Sequence, residues 1–315
     1  MNVSFPVHIS DFKPDSPWAH LNGYRQQTFA WSHILRSAMV AGYPDLASLP
    51  SRQFARWRTA ALRMALRHSR GELIQPPEWP QLEQSEKVAV SSLLGVVVTK
   101  LLVERLLGAP LLLFLDVFFS PTFPAGMRRI RPDFAAMTPV GNWFSVEAKG
   151  QQRFRQATLD EGKLQASALG TVNGQAVQTG VVCVTSFRGG LMEARFADPS
   201  PGVGPDESPD VHIEPIVALR QYYDRLDRFR KFAEPLGETA VRDENFSLEL
   251  WRSQEMDVVF GVIPNLEQAL QERSADRALS VLSGLTNPQV ARNHPSLGPD
   301  GIVVIPGKSW RTEDV

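Results

Sequence analysis

Residues 85–119, "SEKVAVSSLLGVVVTKLLVERLLGAPLLLFLDVFF", constrain the fold more than any other stretch. Ser85 to Leu107 reads as one long apolar helix, which Gly108 and Pro110 bring to a stop. A strand with the look of a buried one, "LLLFLDVFF", follows at once. Lys100, Glu104, Arg105 and Asp116 interrupt the apolar run, so no membrane span is expected. The pairing calls for an interior built from helix packed on sheet.

The segments downstream extend that pattern. Two apolar arms flank "TPVG", a helix is expected over 156–169, "QATLDEGKLQASAL", and a strand over "AVQTGVVCVTSF". Helix, three strands, helix, strand is the order of an α/β layer whose sheet is covered on both faces. This core spans 84–195. Ahead of it, 1–83 reads as an N-terminal helical region, with helices near 25–42 and 51–69 closed by "QPPEWP". Behind it, 196–210, "FADPSPGVGPDESPD", reads as a linker or surface loop. The C-terminal region, 211–315, combines helices near 214–233 and 266–283 with short strands at "DVVFGVI" and "GIVVIP".

Charge and cysteine usage narrow the function. With 43% hydrophobic and 21% charged residues the chain is expected to fold, and its net charge of −1 does not by itself announce a nucleic-acid partner. Any basic surface must be local. Residues 51–70 hold six arginines and no acid, which suits either a solvated helix face or a phosphate-contacting one. The single cysteine, Cys183, excludes an intrachain disulfide and reads as a small core residue. The N-terminus lacks the basic start and apolar stretch of a signal peptide, so a cytoplasmic location is expected. The six histidines show no ligand spacing, and no GxSxG or phosphate-cradling GxxxxGK[ST] is present. "RQYYDRLDRFRKF", 220–232, reads as a helix packing into a partner or neighbouring domain.

The chemistry concentrates in "RPDFAAMTPVGNWFSVEAKG", residues 131–150. A three-residue hairpin loop at Pro139, Val140 and Gly141 puts glycine where positive φ is most needed. Paired residue numbers then sum to 280. Asp133 faces Glu147 and Arg131 faces Lys149, all on one side of the ribbon. Phe134, Ala136, Phe144, Val146 and Ala148 share the other side, which goes to the core. Two facing carboxylates repel, and a divalent cation offsets the cost with the oxygen ligands that Mg²⁺ prefers. Lys149 is then placed beside a water held there, to orient it or to stabilise charge on a phosphate.

Pro132, Asp133, Glu147, Ala148 and Lys149, within that element order, resemble the PD-(D/E)xK nuclease superfamily, the restriction-endonuclease-like fold. The resemblance covers about 85–195 and implies a mixed sheet flanked by helices. It also implies Mg²⁺ (with Mn²⁺ as a substitute) bound by Asp133, Glu147 and the backbone carbonyl of Ala148, with Lys149 positioning the attacking water. Many members carry another acid on the first helix; Glu86, Glu104 and, on the strand, Asp116 are the candidates. Lys163 and Gln165 on the following helix, with Arg128, Arg129 and Arg131 ahead of the site, are candidates for contacting nucleic acid. By family habit DNA is expected rather than RNA. A prokaryotic defence or restriction-type effector suits this architecture, with a protein partner or a second copy of the chain as a further associate. The alternative is a nuclease-like module with weak or idle chemistry that binds DNA or proteins within a larger complex.

Overall fold

Alternation at Val3, Phe5, Val7 and Ile9 sends four apolar side chains to one face of the first strand, and all four are buried. In the computed structural model, whose described residues are 1–42, 51–118, 131–199, 210–238, 248–286 and 296–310, this strand is β1 (Asn2–Ser10). It pairs antiparallel with β2 (Gly23–Ala30), and helix α1 (Trp31–Val40) follows directly. Helix α2 (Ser51–Ala65) leads into a short hairpin of β3 (Arg67–Ser69) and β4 (Glu72–Ile74), turned at Arg70 and Gly71, both at positive φ.

These elements correct the expectation of a helical region over 1–83. The helix read over 25–42 is strand as far as Ala30, and the one read over 51–69 stops at Ala65. Two of the six arginines of 51–70, Arg67 and Arg70, lie in the hairpin and not on the helix. Of those on the helix, Arg58 is buried, Arg56 pairs with Glu255 at 3.5 Å, and Arg63 stacks on Trp310 with 4.0 Å from Cζ to the ring centre. Arg56 and Arg63 thus hold the C-terminal region instead of presenting a free basic stripe.

The central run follows the expected order. Helix α3 (Gln84–Leu107) starts in a capping box between Glu83 and Glu86 and ends at Gly108 in the left-handed conformation. Next come β5 (Leu111–Phe114), β6 (Phe134–Met137), β7 (Trp143–Gly150) and helix α4 (Gln156–Ala166). Two-residue strands β8 (Thr171–Val172) and β9 (Gln175–Ala176) precede β10 (Gly180–Arg188) and β11 (Leu191–Ala197). The strand expected over 111–119 is shorter than read, because Leu115–Val117 form a 3₁₀ turn.

The main sheet runs β2-β1-β4-β11-β10-β7-β6-β5, with β3 attached to β4 and a further pairing of β1 with β11. It is mixed: β10 lies parallel to β7, β11 antiparallel to β10, and β1 parallel to β11 through Val7↔Ala194. Helices α3 and α4 both pack on β7 and β10, and the architecture is mixed α/β with helices flanking a large mixed sheet.

Beyond residue 209 come β12 (Asp210–Val211), helix α5 (Pro215–Arg230), β13 (Glu234–Glu238), β14 (Glu249–Ser253) and β15 (Val258–Val262). Helices α6 (Pro264–Gln271) and α7 (Ala275–Leu285) replace the single helix expected over 266–283, and β16 (Ile302–Pro306) completes an antiparallel sheet β13-β14-β15-β16. Most of the loop expected at 196–210 lies outside the described residues; β11 occupies its first two positions.

A buried charge cluster joins this region to the rest. Arg36 of α1 lies 2.5 Å from Glu104 of α3 and 2.5 Å from Asp300, which also meets Lys100 at 3.3 Å. Lys100 reaches Glu104 at 2.5 Å and donates to the Pro110 carbonyl at 2.6 Å. From α5, the Tyr222 hydroxyl donates to Asp300 Oδ2 at 2.8 Å and the Tyr223 hydroxyl to the Asp300 carbonyl at 2.6 Å. Two cations and two anions balance, which is how such charges persist without water. Burial opposes ionisation of Glu104, yet Arg36 and Lys100 outweigh it and hold the carboxyl down at about 2. The helix at 220–232 therefore packs inside this chain through its tyrosines.

Candidate functional site

The β6–β7 hairpin has the expected register. Phe134 faces Val146, Ala135 faces Ser145, Ala136 faces Phe144 and Met137 faces Trp143, each pair summing to 280. The turn closes through Thr138 N–H to the Asn142 carbonyl at 2.9 Å and Gly141 N–H to the Thr138 carbonyl at 3.0 Å, with Gly141 at φ +86°. One step beyond the ladder, Asp133 stands across from Glu147. Arg131 is four residues further from the turn than Ala135 and outside the strand, so its expected pairing with Lys149 is not formed.

The side of the hairpin bearing the charges is not a solvated face. Ala135, Met137, Trp143, Ser145 and Glu147 are buried along with the apolar side, because α4 covers one face of the sheet and α3 the other. Glycines permit both approaches. A Cβ on Gly162 of α4 would strike Val182 and come within 3.7 Å of Glu147 Cγ, and one on Gly95 of α3 would lie 2.7 Å from the Gly150 backbone nitrogen. Gly150 in turn has no room for a Cβ, which would run into the Ser91 carbonyl.

Within this frame the acids are locked to each other's backbone. Asp133 N–H donates to Glu147 Oε2 at 2.9 Å, and Ala148 N–H donates to Asp133 Oδ2 at 3.3 Å. Lys149 Nζ lies 2.6 Å from Glu147 Oε1 and donates to Gln165 Oε1 at 2.6 Å; Gln165 Nε2 donates to the Arg131 carbonyl at 3.4 Å. Lys149 is partly exposed whereas Glu147 is fully enclosed, so solvent reaches the pair from the lysine and Asp133 side. Burial, reinforced by the neighbouring Asp133 charge, pushes Glu147 up to about 7 against the pull of Lys149. Burial also raises Asp133, with Asp116 adding to the effect while the Ala148 N–H and Lys149 oppose it.

The other expected residues divide. Asp116 sits in the 3₁₀ turn after β5, pairs with Arg131 and lies near enough to act on Asp133. Glu86 is used in the capping box of α3, and Glu104 belongs to the buried charge cluster, so neither joins the pair. Gln165 comes to the site, held on Lys149. Lys163, two residues earlier on α4, points elsewhere and pairs with Asp11 at 2.8 Å. Arg128 and Arg129 lie outside the described residues. The three glycines that allow the helices onto β7 were passed over in the sequence, although a glycine inside a helical pattern is a signal of close packing.

Among the described residues no group of three His, Cys, Asp or Glu side chains could hold a metal ion as arranged. Cys183 is buried in β10, and burial pushes its thiol up to about 12. No helix among the described residues is long and apolar enough to cross a membrane. No protein-family model matches the chain, and no curated protein or solved structure matches it significantly.

Proposed function

We propose that the chain is a metal-dependent nuclease that hydrolyses phosphodiester bonds, with DNA as its substrate and a restriction-endonuclease-like core over 84–195. The observation that carries this reading is the pair of carboxylates at Asp133 and Glu147, set face to face by the hairpin register with Lys149 at its mouth. Apart from the two-residue strands β8 and β9, the surrounding helix, three strands, helix and strand follow the order that the PD-(D/E)xK resemblance implies, which supports the reading.

The donor set fits a divalent cation. Two carboxylates whose proton affinity burial raises, with the Asp133 charge adding to the effect at Glu147, are a site short of positive charge, and Lys149 supplies only part of it. Asp133, Glu147 and the Ala148 carbonyl would hold Mg²⁺ or Mn²⁺, which when bound supplies Lewis acidity toward a phosphoryl oxygen and a more acidic water. Asp116, beside Asp133, is the acid placed to support the pair. The chain's own groups do the rest. The Ala148 N–H fixes the Asp133 carboxylate, and the Asp133 N–H fixes that of Glu147, so neither reorganises on binding. Gln165 steers the Lys149 ammonium, which is free to exchange its contact with Glu147 Oε1 for a phosphoryl oxygen.

Incubation of purified protein with plasmid, single-stranded DNA and RNA in Mg²⁺ or Mn²⁺ tests the reading. Cleavage is expected from the wild type and not from Glu147→Ala or Lys149→Ala; cleavage retained in both variants refutes the site. A second reading, an idle nuclease-like module that binds DNA or a protein partner, is favoured by the missing third ligand among the described residues. It predicts nucleic-acid or partner binding with no metal-dependent turnover. A role in prokaryotic defence, inside the cell, belongs to the first reading as its biological setting.

A further inference from the structure

Beyond the carboxylate pair, the chain leaving β7 lines a second feature. A cleft of about 420 Å³ begins at Gly150, the residue after Lys149, and runs between the first turn of α3 and the β7–α4 connection. Its walls carry Gln84, Ser91, Gln151, Gln152, Arg153 and Arg155, and no acid. Arg153 and Arg155 are exposed, and neither pairs with an acid among the described residues. Among the described residues, seven arginines by contrast sit on carboxylates: Arg36, Arg56, Arg67, Arg131, Arg228, Arg230 and Arg277.

The amides in the cleft are set as donors. Gln151 Oε1 accepts from the Thr158 hydroxyl at 3.0 Å, which leaves Gln151 Nε2 enclosed and without an acceptor. Gln152 Nε2 reaches Gln84 Oε1 at 3.3 Å and ties the two walls together. A cleft with two unpaired guanidiniums, a donor lacking its acceptor and no carboxylate is matched to an anion with several oxygens.

We infer that this cleft binds a backbone phosphate of the nucleic-acid strand, flanking the phosphate presented to Asp133, Glu147 and Lys149. The inference rests on the nuclease reading and adds where the strand runs: along the exit of β7, past Gly150, toward the start of α4. Arg153 and Arg155 hold the phosphate, and Gln151 Nε2 lies behind them as an unpaired donor in the cleft wall. Such contacts fix register on the strand without reading its sequence.

The test is binding of fluorescein-labelled DNA and RNA oligonucleotides, measured by anisotropy in EDTA over a range of salt. Arg153→Ala/Arg155→Ala is expected to bind at least tenfold more weakly, with the slope of log affinity against log salt reduced by about 0.9 for duplex DNA, the share of one phosphate. In the wild type, one uncharged methylphosphonate linkage beside the cleavage point is expected to reproduce that loss, and to add nothing in the double variant. The DNA and RNA arms show which backbone is taken. Unchanged affinity and slope in the double variant, with the wild type binding, overturn the cleft. If the wild type binds neither polymer, cleft and nuclease reading fall together. If Glu147→Ala and Lys149→Ala cut like the wild type while the double variant loses affinity, the cleft stands and the catalytic assignment falls.

Discussion

Asp133 and Glu147 hold each other through the peptide chain: the Asp133 N–H donates to Glu147 Oε2 at 2.9 Å, while Asp133 Oδ2 accepts from Ala148, the residue next to Glu147, at 3.3 Å. Each carboxylate keeps the other's strand in register, and the two charges still oppose one another.

Burial of Glu147, reinforced by that opposition, makes stability fall with rising pH. Glu147 is raised from an ordinary value of 4.5 to about 7, so its cost is absent below about pH 4.5, grows through the interval, and is complete above about 7. Glu147→Gln keeps an acceptor for the Asp133 N–H without the charge. In EDTA at pH 8 it is expected to melt about 2 to 4 °C above the wild type, with the gap closing toward pH 5. Melting curves that stay parallel across this range would contradict the assignment.

Protons and metal should compete for the same oxygens. Between pH 6 and pH 8 the ionised fraction of a group titrating near 7 rises about tenfold, and apparent Mn²⁺ affinity is expected to rise by about the same factor. Calorimetric titration at several pH values measures it. An affinity independent of pH would place the metal elsewhere.

Gly150 allows α3 to lie against β7, and a Cβ there would run into the Ser91 carbonyl. Gly150→Ala is expected to cost about 1–3 kcal/mol through overpacking. It should also shift Lys149, so cleavage should fall further than the folded fraction does. Urea titration and a cleavage assay on the same samples separate the two effects.

The buried cluster around Asp300 should be unforgiving. Asp300→Ala leaves Arg36 and Lys100 with Glu104 as their one carboxylate and strips the Tyr222 contact, while the Tyr223 bond to the backbone carbonyl survives, for an expected loss of about 3–5 kcal/mol in urea denaturation. Because Glu104 is held at about 2, its own contribution is complete above about pH 4.5 and is lost as the pH falls toward 2. A loss below about 1 kcal/mol would mean that the cluster is open to water.

Cys183 gives a simple readout of core integrity. In the native protein a disulfide reagent should find no fast thiol, and after unfolding one, since the chain has a single cysteine. Rapid labelling of native protein would show that β10 is not in the interior.

The hairpin was legible because its determinants are local. Gly141 sets the turn, and alternation at Phe134, Ala136, Phe144 and Val146 sets the register, so the meeting of Asp133 with Glu147 follows from a few neighbours. What is decided over long distances was not legible. The strand character of Gly23–Ala30 comes from pairing with β1, and its half-exposed polar residues carry little pattern of their own. Glu104 looked available for a metal because nothing nearby in sequence reveals that Arg36 and Asp300 converge on it. Lys163 and Gln165 were indistinguishable as candidates two residues apart on one helix, and only the packing of α4 sends one to Lys149 and the other to Asp11.

The parallel pairing of β1 with β11 sets a schedule for synthesis. Val7 leaves the ribosome about 190 residues before its partner Ala194, a wait of roughly 10 to 40 s at ordinary elongation rates. The β3–β4 hairpin covers this edge only near Ser4, so until β11 arrives the stretch of β1 from Val7 to Ser10 lacks its second neighbour. The second half of the first strand is therefore the part of the sheet that waits longest for its partner.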